Sequence, residues 1–300
     1  MRILVVGATG FLGRAVVEYF DKQGADVVAI VRDLGKAKTL LGSTVQLVDW
    51  TVLDTDTLEG SDAVINFTGA SIANRRWTER RKRQLRSSRI EPTRRIVEMI
   101  ARCTRPPRAL LNASAVGYYG HRGDEILTER SSKGDGFLAD LCAEWEVAAC
   151  QAEPYCRVIR MRLGVVLGQG GGMLARLVPI VSRLGAVIPG TGTQWLSWIS
   201  QMDVCRAIAW LIKQEHISGA VNLVAPEPVT METFMRTLAQ FHHRPVFFRV
   251  PNVILRLALG EMATTLTDST RAIPAYLQQG GFDFHDGVIS QFFTHIRTSS

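Results

Sequence analysis

Gly7, Gly10 and Gly13 stand three residues apart at the start of a 300-residue chain, in a G-x-x-G-x-x-G array. This spacing suits one task, which is to bring bare backbone amides up to a phosphate. Gly7 permits a sharp turn, Gly10 leaves room for a diphosphate against the backbone, and Gly13 lets the next helix lie close. Free N–H groups at the helix start and the positive end of its dipole favour the anion. The array therefore predicts a dinucleotide held by Gly7, Thr9, Gly10, Phe11, Leu12 and Gly13. Arg32 follows the second apolar run, where an acidic side chain would bond a ribose 2′-hydroxyl. A guanidinium there can fork onto a 2′-phosphate and stack on adenine, so the expected cofactor is NADP(H). The alternatives at this point are an exposed arginine and an opposing charge on Asp33. Phe67, Thr68 and Gly69 end a fourth run, where backbone can lie along the nicotinamide-side ribose. Ser114 ends a fifth, facing the same crevice; it either orients a substrate oxygen or bonds its local backbone.

The glycines work only between a strand and a helix, and both are written around them. Ile3, Leu4, Val5 and Val6 form the apolar run before the turn. Leu12, Ala15, Val16, Tyr19 and Phe20 share one helical face after it, and Gly24 stops the helix. Further short apolar runs at 27–31, 45–48, 62–66, 109–114 and 158–163 alternate with helical stretches at 36–41 and 140–150. A long helical stretch before residue 109 should split near Pro92. The pattern predicts an α/β fold, a Rossmann-type doubly wound parallel sheet with right-handed crossovers, over residues 1–165. From 166 to 300 the texture changes and predicts a smaller C-terminal substrate lobe that interleaves with the first part. There, Gly170 to Gly172 precede an apolar helix ending near Leu184, and a Gly/Pro-rich loop leads to Trp195 and Trp198. Either tryptophan could wall a ligand or plug the interface between lobes. Asp203 is the expected N-cap of the next helix. A strand at 221–223 and helices at 231–241 and 253–262 complete the expectation.

Composition narrows the partners. The chain is 46% hydrophobic, enough for a sizeable core. Its net charge of +7 is confined to residues 75–95, which carry +8 by themselves. One basic helix is not a nucleic-acid-binding face, so no nucleic acid is expected; one or two of its arginines could reach cofactor phosphates. No apolar run approaches the roughly 20 residues a bilayer needs, so no membrane is expected. The first strand starts at residue 2, which predicts no leader, and five cysteines without a C-x-x-C pair suit a reducing cytoplasm. His242 and His243 have no partner at ligand spacing, so no metal is expected. An unidentified small molecule is the expected substrate, and an oligomer is possible.

Several longer segments carry a resemblance. They are GATGFLG at 7–13, NFTGA at 66–70, RRW at 75–77, SSR at 87–89, SAVGYYG at 114–120 and LCAEWE at 141–146. RLGVVLGQGGGML at 162–174, GTGTQWLSWISQMD at 190–203 and NLVAPEPVT at 222–230 continue the set. Together they resemble the short-chain dehydrogenase/reductase superfamily in its extended, epimerase-like form, and most closely an atypical group with its own C-terminal domain. The resemblance implies NADP(H) binding, an oxidoreductase or epimerase activity, and Arg89 and Val166 near the nucleotide. The superfamily's chemistry uses a Ser or Thr, a Tyr, and a Lys four residues after the Tyr that lowers the phenol pKa. Ser114 matches the first, but Leu138 and Cys142 fall where the dyad should be. Tyr118 is followed four residues later by Arg122, too basic to shuttle protons. The group's usual histidine in the WI-x-x-x-D segment is Ser200 here. Three readings stay open: Tyr118 or Tyr119 as an acid beside Ser114, Cys142 as a pocket thiol, or an NADP(H)-sensing protein without chemistry.

Overall fold

The computed structural model describes residues 1–42 and 44–298, so the expected C-terminal limit at residue 300 lies outside the described residues. The first half alternates strand and helix: β1 (Arg2–Val6), α1 (Phe11–Lys22), β2 (Asp26–Val31), α2 (Leu34–Leu41), β3 (Gln46–Asp49), α3 (Thr55–Leu58), β4 (Ala63–Asn66) and α4 (Glu79–Ile100). It continues with β5 (Ala109–Ala115), β6 (Ile126–Leu127), α5 (Phe137–Cys150) and β7 (Arg157–Leu163). The second half contributes β8 (Val165–Leu167), α6 (Leu174–Leu184), β9 (Ala186–Pro189), β10 (Trp195–Leu196), β11 (Trp198–Ser200), α7 (Gln201–Lys213) and β12 (Gly219–Leu223). The chain closes with β13 (Val229–Thr230), α8 (Met231–Phe241), β14 (Val246–Val250), α9 (Asn252–Leu259), α10 (Thr264–Thr267), β15 (Arg271–Ala272), α11 (Ala275–Gln279) and α12 (Ile289–Thr298).

Seven strands form one parallel sheet in the order β12-β7-β5-β4-β1-β2-β3. Strands buried on both faces need an apolar residue at every position, which is why β1 reads Ile-Leu-Val-Val without alternation. Ile3 and Val5 join Val16 and Phe20 of α1 and Ile208 and Leu211 of α7 on one face. Leu4 and Val6 join Ile96 and Ile100 of α4 on the other. The chain order reverses between β1 and β4, and a crevice outside strand ends opens at such a switch point. β12 is the outermost strand beside β7, so the second half does return to the sheet. α7 also packs on the sheet, and other parts of that half have a separate core around Trp198, Phe234, Leu238, Phe292 and Phe293.

Two local expectations are corrected. Pro92 does not split the helix, because α4 runs unbroken through it. A proline inside a helix costs about 3 kcal/mol, and burial of Leu85 and Arg89 before it and Ile96, Val97 and Ile100 after it offsets that cost. Asp203 does not cap α7. Ser200 does, its hydroxyl accepting from the Asp203 amide at 3.1 Å. The Asp203 carboxylate is turned inward and accepts the His285 and Asp286 amides, each at 2.8 Å, which ties the C-terminal segment to α7. Among the described residues no helix is long and apolar enough to cross a membrane.

Candidate functional site

The glycine turn is built on backbone contacts that admit no side chain. Gly7 has φ +81°, in the left-handed region, and an added Cβ would lie 3.0 Å from the Phe67 carbonyl carbon. At Gly13 a Cβ would come within 2.3 Å of the Gly7 carbonyl oxygen and 2.8 Å of the Ala8 Cα. The start of α1 is thereby pressed against the turn. The N-cap, Gly10, offers no side chain to the helix amides, so they remain available to a ligand.

A cleft of about 620 Å³ opens from this turn at the carboxyl ends of β1, β4 and β5. It brings together Gly7, Gly10, Phe11, Leu12 and Gly13 with Phe67, Thr68, Gly69, Arg89, Ser114 and Val166. Thr9, Arg32 and Tyr118 are not among the lining residues. Thr9 sits in the turn itself. Arg32 is exposed just past β2, whose Ile30 is level with Val6 of β1, so it stands beside the glycine turn. Its neighbour Asp33 is engaged elsewhere, capping α2 by accepting the Lys36 amide at 2.9 Å.

Buried polar groups hold the cleft floor. Asn66 accepts the Thr68 amide at 3.0 Å and the Thr68 hydroxyl at 2.7 Å, while its own amide donates to Asn112 and Thr93. Arg89 is the one arginine of the basic run that lines the cleft. Its guanidinium donates to the Ala70 and Leu85 carbonyls at 3.0 and 3.1 Å and lies over the Trp145 ring. Burial lowers its pKa to about 10, which still leaves it charged. Some other arginines of the run also have partners within the fold. Arg76 donates to the Ala258 and Leu257 carbonyls, tying the segment before α4 to α9, and Arg95 lies over Trp50.

Ser114 is buried, and its hydroxyl donates to Glu146 Oε1 at 2.7 Å. Glu146 in turn receives Arg162 in a two-pronged ion pair, at 2.8 and 2.9 Å. Arg162 also donates to the Tyr119 hydroxyl at 3.0 Å, and that hydroxyl donates to Asn222 at 2.7 Å. The Tyr118 ring stacks on the Arg162 guanidinium, 3.6 Å from the ring centre. Burial outweighs the Arg162 charge and raises the Tyr119 phenol to about 12. The sequence reading missed Glu146, Arg162 and Asn222. A signal existed in the apolar character of α5, in which a glutamate facing the sheet has to find a cation.

Leu138 and Cys142 both line the cleft, one helical turn apart on α5. Burial first, and then the Glu146 charge, raise the Cys142 thiol to about 11, so it stays protonated and poorly nucleophilic. Iodoacetamide at about pH 7.5 is therefore expected to leave Cys142 unmodified in the folded protein, as read by peptide mass spectrometry. Labelling as fast as in the denatured chain would contradict this. Away from the cleft lining, His285, Asp286 and His295 gather with ligand-type atoms within 4.8 Å of one another. His295 Nδ1 lies 2.7 Å from the Asp286 carboxylate. His242 and His243 take no part in the cluster.

A family model described as the NAD dependent epimerase/dehydratase family matches residues 3–223, and a domain of unknown function, DUF1731, matches residues 250–296. The chain is 38% identical over 299 residues to the epimerase family protein Mb2239 of Mycobacterium bovis, covering 99% of this chain and 97% of that one. It is 32% identical over 293 residues to an Arabidopsis thaliana protein named epimerase family protein SDR39U1 homolog, chloroplastic, covering 95% and 83%. The crystal structure of the human epimerase family protein SDR39U1 (isoform 2) with NADPH superposes over the whole of both chains with a TM-score of 0.91 at 27% identity.

Proposed function

Because the chain belongs to the NAD dependent epimerase/dehydratase family, we propose that it is an NADP(H)-dependent oxidoreductase of the extended short-chain type, acting on a small carbonyl or alcohol beside Ser114. The observation that carries this reading is a single cleft that runs from the Gly7–Gly13 turn to Ser114. In the proposed division, residues 1–165 hold the dinucleotide and 166–300 form the substrate lobe, with β12 returning to the sheet. The setting we propose is the cytoplasm.

The glycine turn fits a dinucleotide, since no side chain can occupy the space beside its amides. Gly7, Thr9, Gly10, Phe11, Leu12 and Gly13 would hold the diphosphate, Phe67 to Gly69 and Val166 the nicotinamide half, and Arg89 the adjoining backbone. When bound, the nicotinamide supplies or accepts a hydride. Ser114 has committed its proton to Glu146, so its oxygen turns lone pairs toward the cleft and can accept from a substrate hydroxyl. Arg162 grips both Glu146 oxygens and thus holds the carboxylate where Ser114 donates to it. Tyr118 is stacked on Arg162 outside the cleft lining and is not placed to pass a proton to the substrate, which leaves water to exchange the proton at the substrate oxygen. A second reading, a cofactor-sensing protein without turnover, draws support from the apolar Leu138 and the inert Cys142 where a proton relay would stand.

The human relative crystallised with NADPH supports the choice of phosphate, as does Asp33 being turned away into a cap. Arg32→Ala should lower the NADPH over NADH preference about 10- to 100-fold, the loss of one charge-assisted pair worth about 1.5–3 kcal/mol. Calorimetric titration with both nucleotides reads this, and an unchanged ratio would remove Arg32 from the site. Turnover in a carbonyl screen that is lost in Ser114→Ala favours the enzyme. Binding of NADPH with no turnover on any substrate favours the sensor.

A further inference from the structure

A second group of side chains able to do chemistry stands apart from the cleft. Asp203 pins the backbone of residues 285 and 286 through their amides, and α12 begins three residues later. The Asp286 carboxylate is only 5% exposed, yet it faces two imidazoles and a hydroxyl rather than an arginine or lysine. His295 Nδ1 lies 2.7 Å from one of its oxygens and His285 Nδ1 lies 3.2 Å from the other. The two rings stand side by side, with centres 4.4 Å apart, and both side chains are about half-exposed. Burial pushes the Asp286 carboxyl up, but hydrogen bonds from His295, Ser200 and His285 outweigh it and hold the group below the usual range. It is therefore charged at neutral pH. Arg206 of α7 pairs instead with Asp203 and Asp283, at 3.6 and 3.7 Å.

Two imidazoles and a carboxylate are the donors that zinc and its neighbours in the first transition row take. In a tetrahedral site with bonds of about 2.0–2.1 Å, the donor atoms stand roughly 3.3–3.4 Å apart. The His285–Asp286 pair already has nearly that spacing. The His295 contact would open by roughly 0.6 Å to reach it. All the donor atoms lie within 4.8 Å of one another, and half-exposed histidines have room to close on a common centre. Outer support is in place as well. Ser200 orients the carboxylate, and Asp203 fixes the backbone that carries two of the three ligands. Magnesium and calcium prefer an all-oxygen shell, which this group does not offer.

We propose that His285, Asp286 and His295 form a surface site for a divalent transition cation, Zn²⁺ in the first place, and that the bound ion clamps α12 to the start of α7. Water completes the coordination on the exposed side. The ion replaces the protons held between the imidazoles and the carboxylate, so its binding releases protons. The site departs from the expectation of no metal, which considered His242 and His243. Its ligands meet because Asp203 folds the 285–286 segment back onto α7. It is independent of the oxidoreductase reading and would stand if that reading failed.

The test titrates zinc chloride into EDTA-treated, desalted protein by calorimetry. One ion per chain should bind with a Kd of about 10 μM or tighter. His285→Ala and His295→Ala should each weaken binding at least about 10-fold, while the double substitution His242→Ala, His243→Ala leaves it unchanged. Both single variants remove half-exposed side chains, and their urea midpoints in EDTA check that they fold. At about 100 times its Kd, Zn²⁺ should raise the Tm of the wild type by at least about 3 °C and that of His295→Ala by less than about 1 °C. Co²⁺ gives a readout on the unaltered chain: a visible spectrum of nitrogen and oxygen coordination, without a thiolate charge-transfer band from any of the five cysteines. No binding tighter than about 100 μM, unchanged affinity in both histidine variants, or a thiolate band would overturn the proposal.

Discussion

Gly13→Ala is expected to raise the dissociation constant for NADPH at least about 100-fold while leaving the helical content intact. The substitution improves helix propensity by about 1 kcal/mol, so a simple propensity argument predicts a gain. Sterics reverse the sign. The new methyl would sit 2.3 Å from the Gly7 carbonyl oxygen, with the Ala8 Cα at 2.8 Å, and both obstacles are backbone. The turn must move by roughly an ångström, and overpacking of this kind costs about 1–3 kcal/mol in stability. The same movement takes the turn amides away from the phosphates. Losing two charge-assisted hydrogen bonds at about 1.5–3 kcal/mol each gives the predicted loss of affinity.

Gly24 is the proper control. It also ends in the left-handed region, at φ +74°, but no atom lies within 4 Å of its would-be Cβ. Gly24→Ala should cost about 1–2 kcal/mol through backbone strain alone and leave NADPH affinity unchanged. Calorimetry on both variants separates the two effects. Equal affinities for Gly13→Ala and Gly24→Ala would show that the Gly7–Gly13 turn does not hold the diphosphate.

The contrast marks what sequence can carry. The glycine array, its strand and its helix are local, and each follows from the residues that form it, so β1, α1 and the alternating sheet could be read directly. Ser114 could be placed at a strand end because β5 is short and apolar. What could not be read are pairings across the fold. Glu144 and Glu146 are two positions apart on α5; helical spacing puts Glu146 on the apolar face with Cys142 and Ala149, but only the approach of β7 supplies its partner, Arg162. Arg89 looks like nine other basic residues in its segment until Gly69, lacking a side chain, makes room for it. Pro92 departs from its local expectation for a related reason, since the packing that offsets its lost hydrogen bond comes from other elements. Asp203 likewise resembles a cap, but a buried carboxylate accepting two amides from residues 285 and 286 depends on a contact more than eighty positions away.

Glu146→Ala is expected to destabilise the protein by about 3–5 kcal/mol, a large share of the roughly 5–15 kcal/mol that holds a typical fold. Its side chain and that of Arg162 are each only 4% exposed, so the pair is shielded from bulk water. Removing the carboxylate leaves Arg162 charged, with the Tyr119 hydroxyl and the Glu129 carbonyl as its remaining acceptors. It also leaves Arg160, partly exposed and 3.7 Å from the same carboxylate, without that counter-charge. Ser114 loses its acceptor at the same stroke, so its hydroxyl becomes free to rotate toward the cleft. The neighbouring Glu144→Ala supplies the comparison. Its pair with Arg86 is 45% and 37% exposed, and such surface pairs contribute about 0–1 kcal/mol. Urea unfolding of the two variants should therefore differ by at least about 2 kcal/mol. Glu146→Gln should recover part of the loss, because the amide oxygen can still accept from Ser114 or Arg162 while the charge stays unpaired. If Glu146→Ala unfolds at the same urea concentration as Glu144→Ala, the buried pair contributes no net stability, and the fixed orientation of Ser114 loses its physical basis.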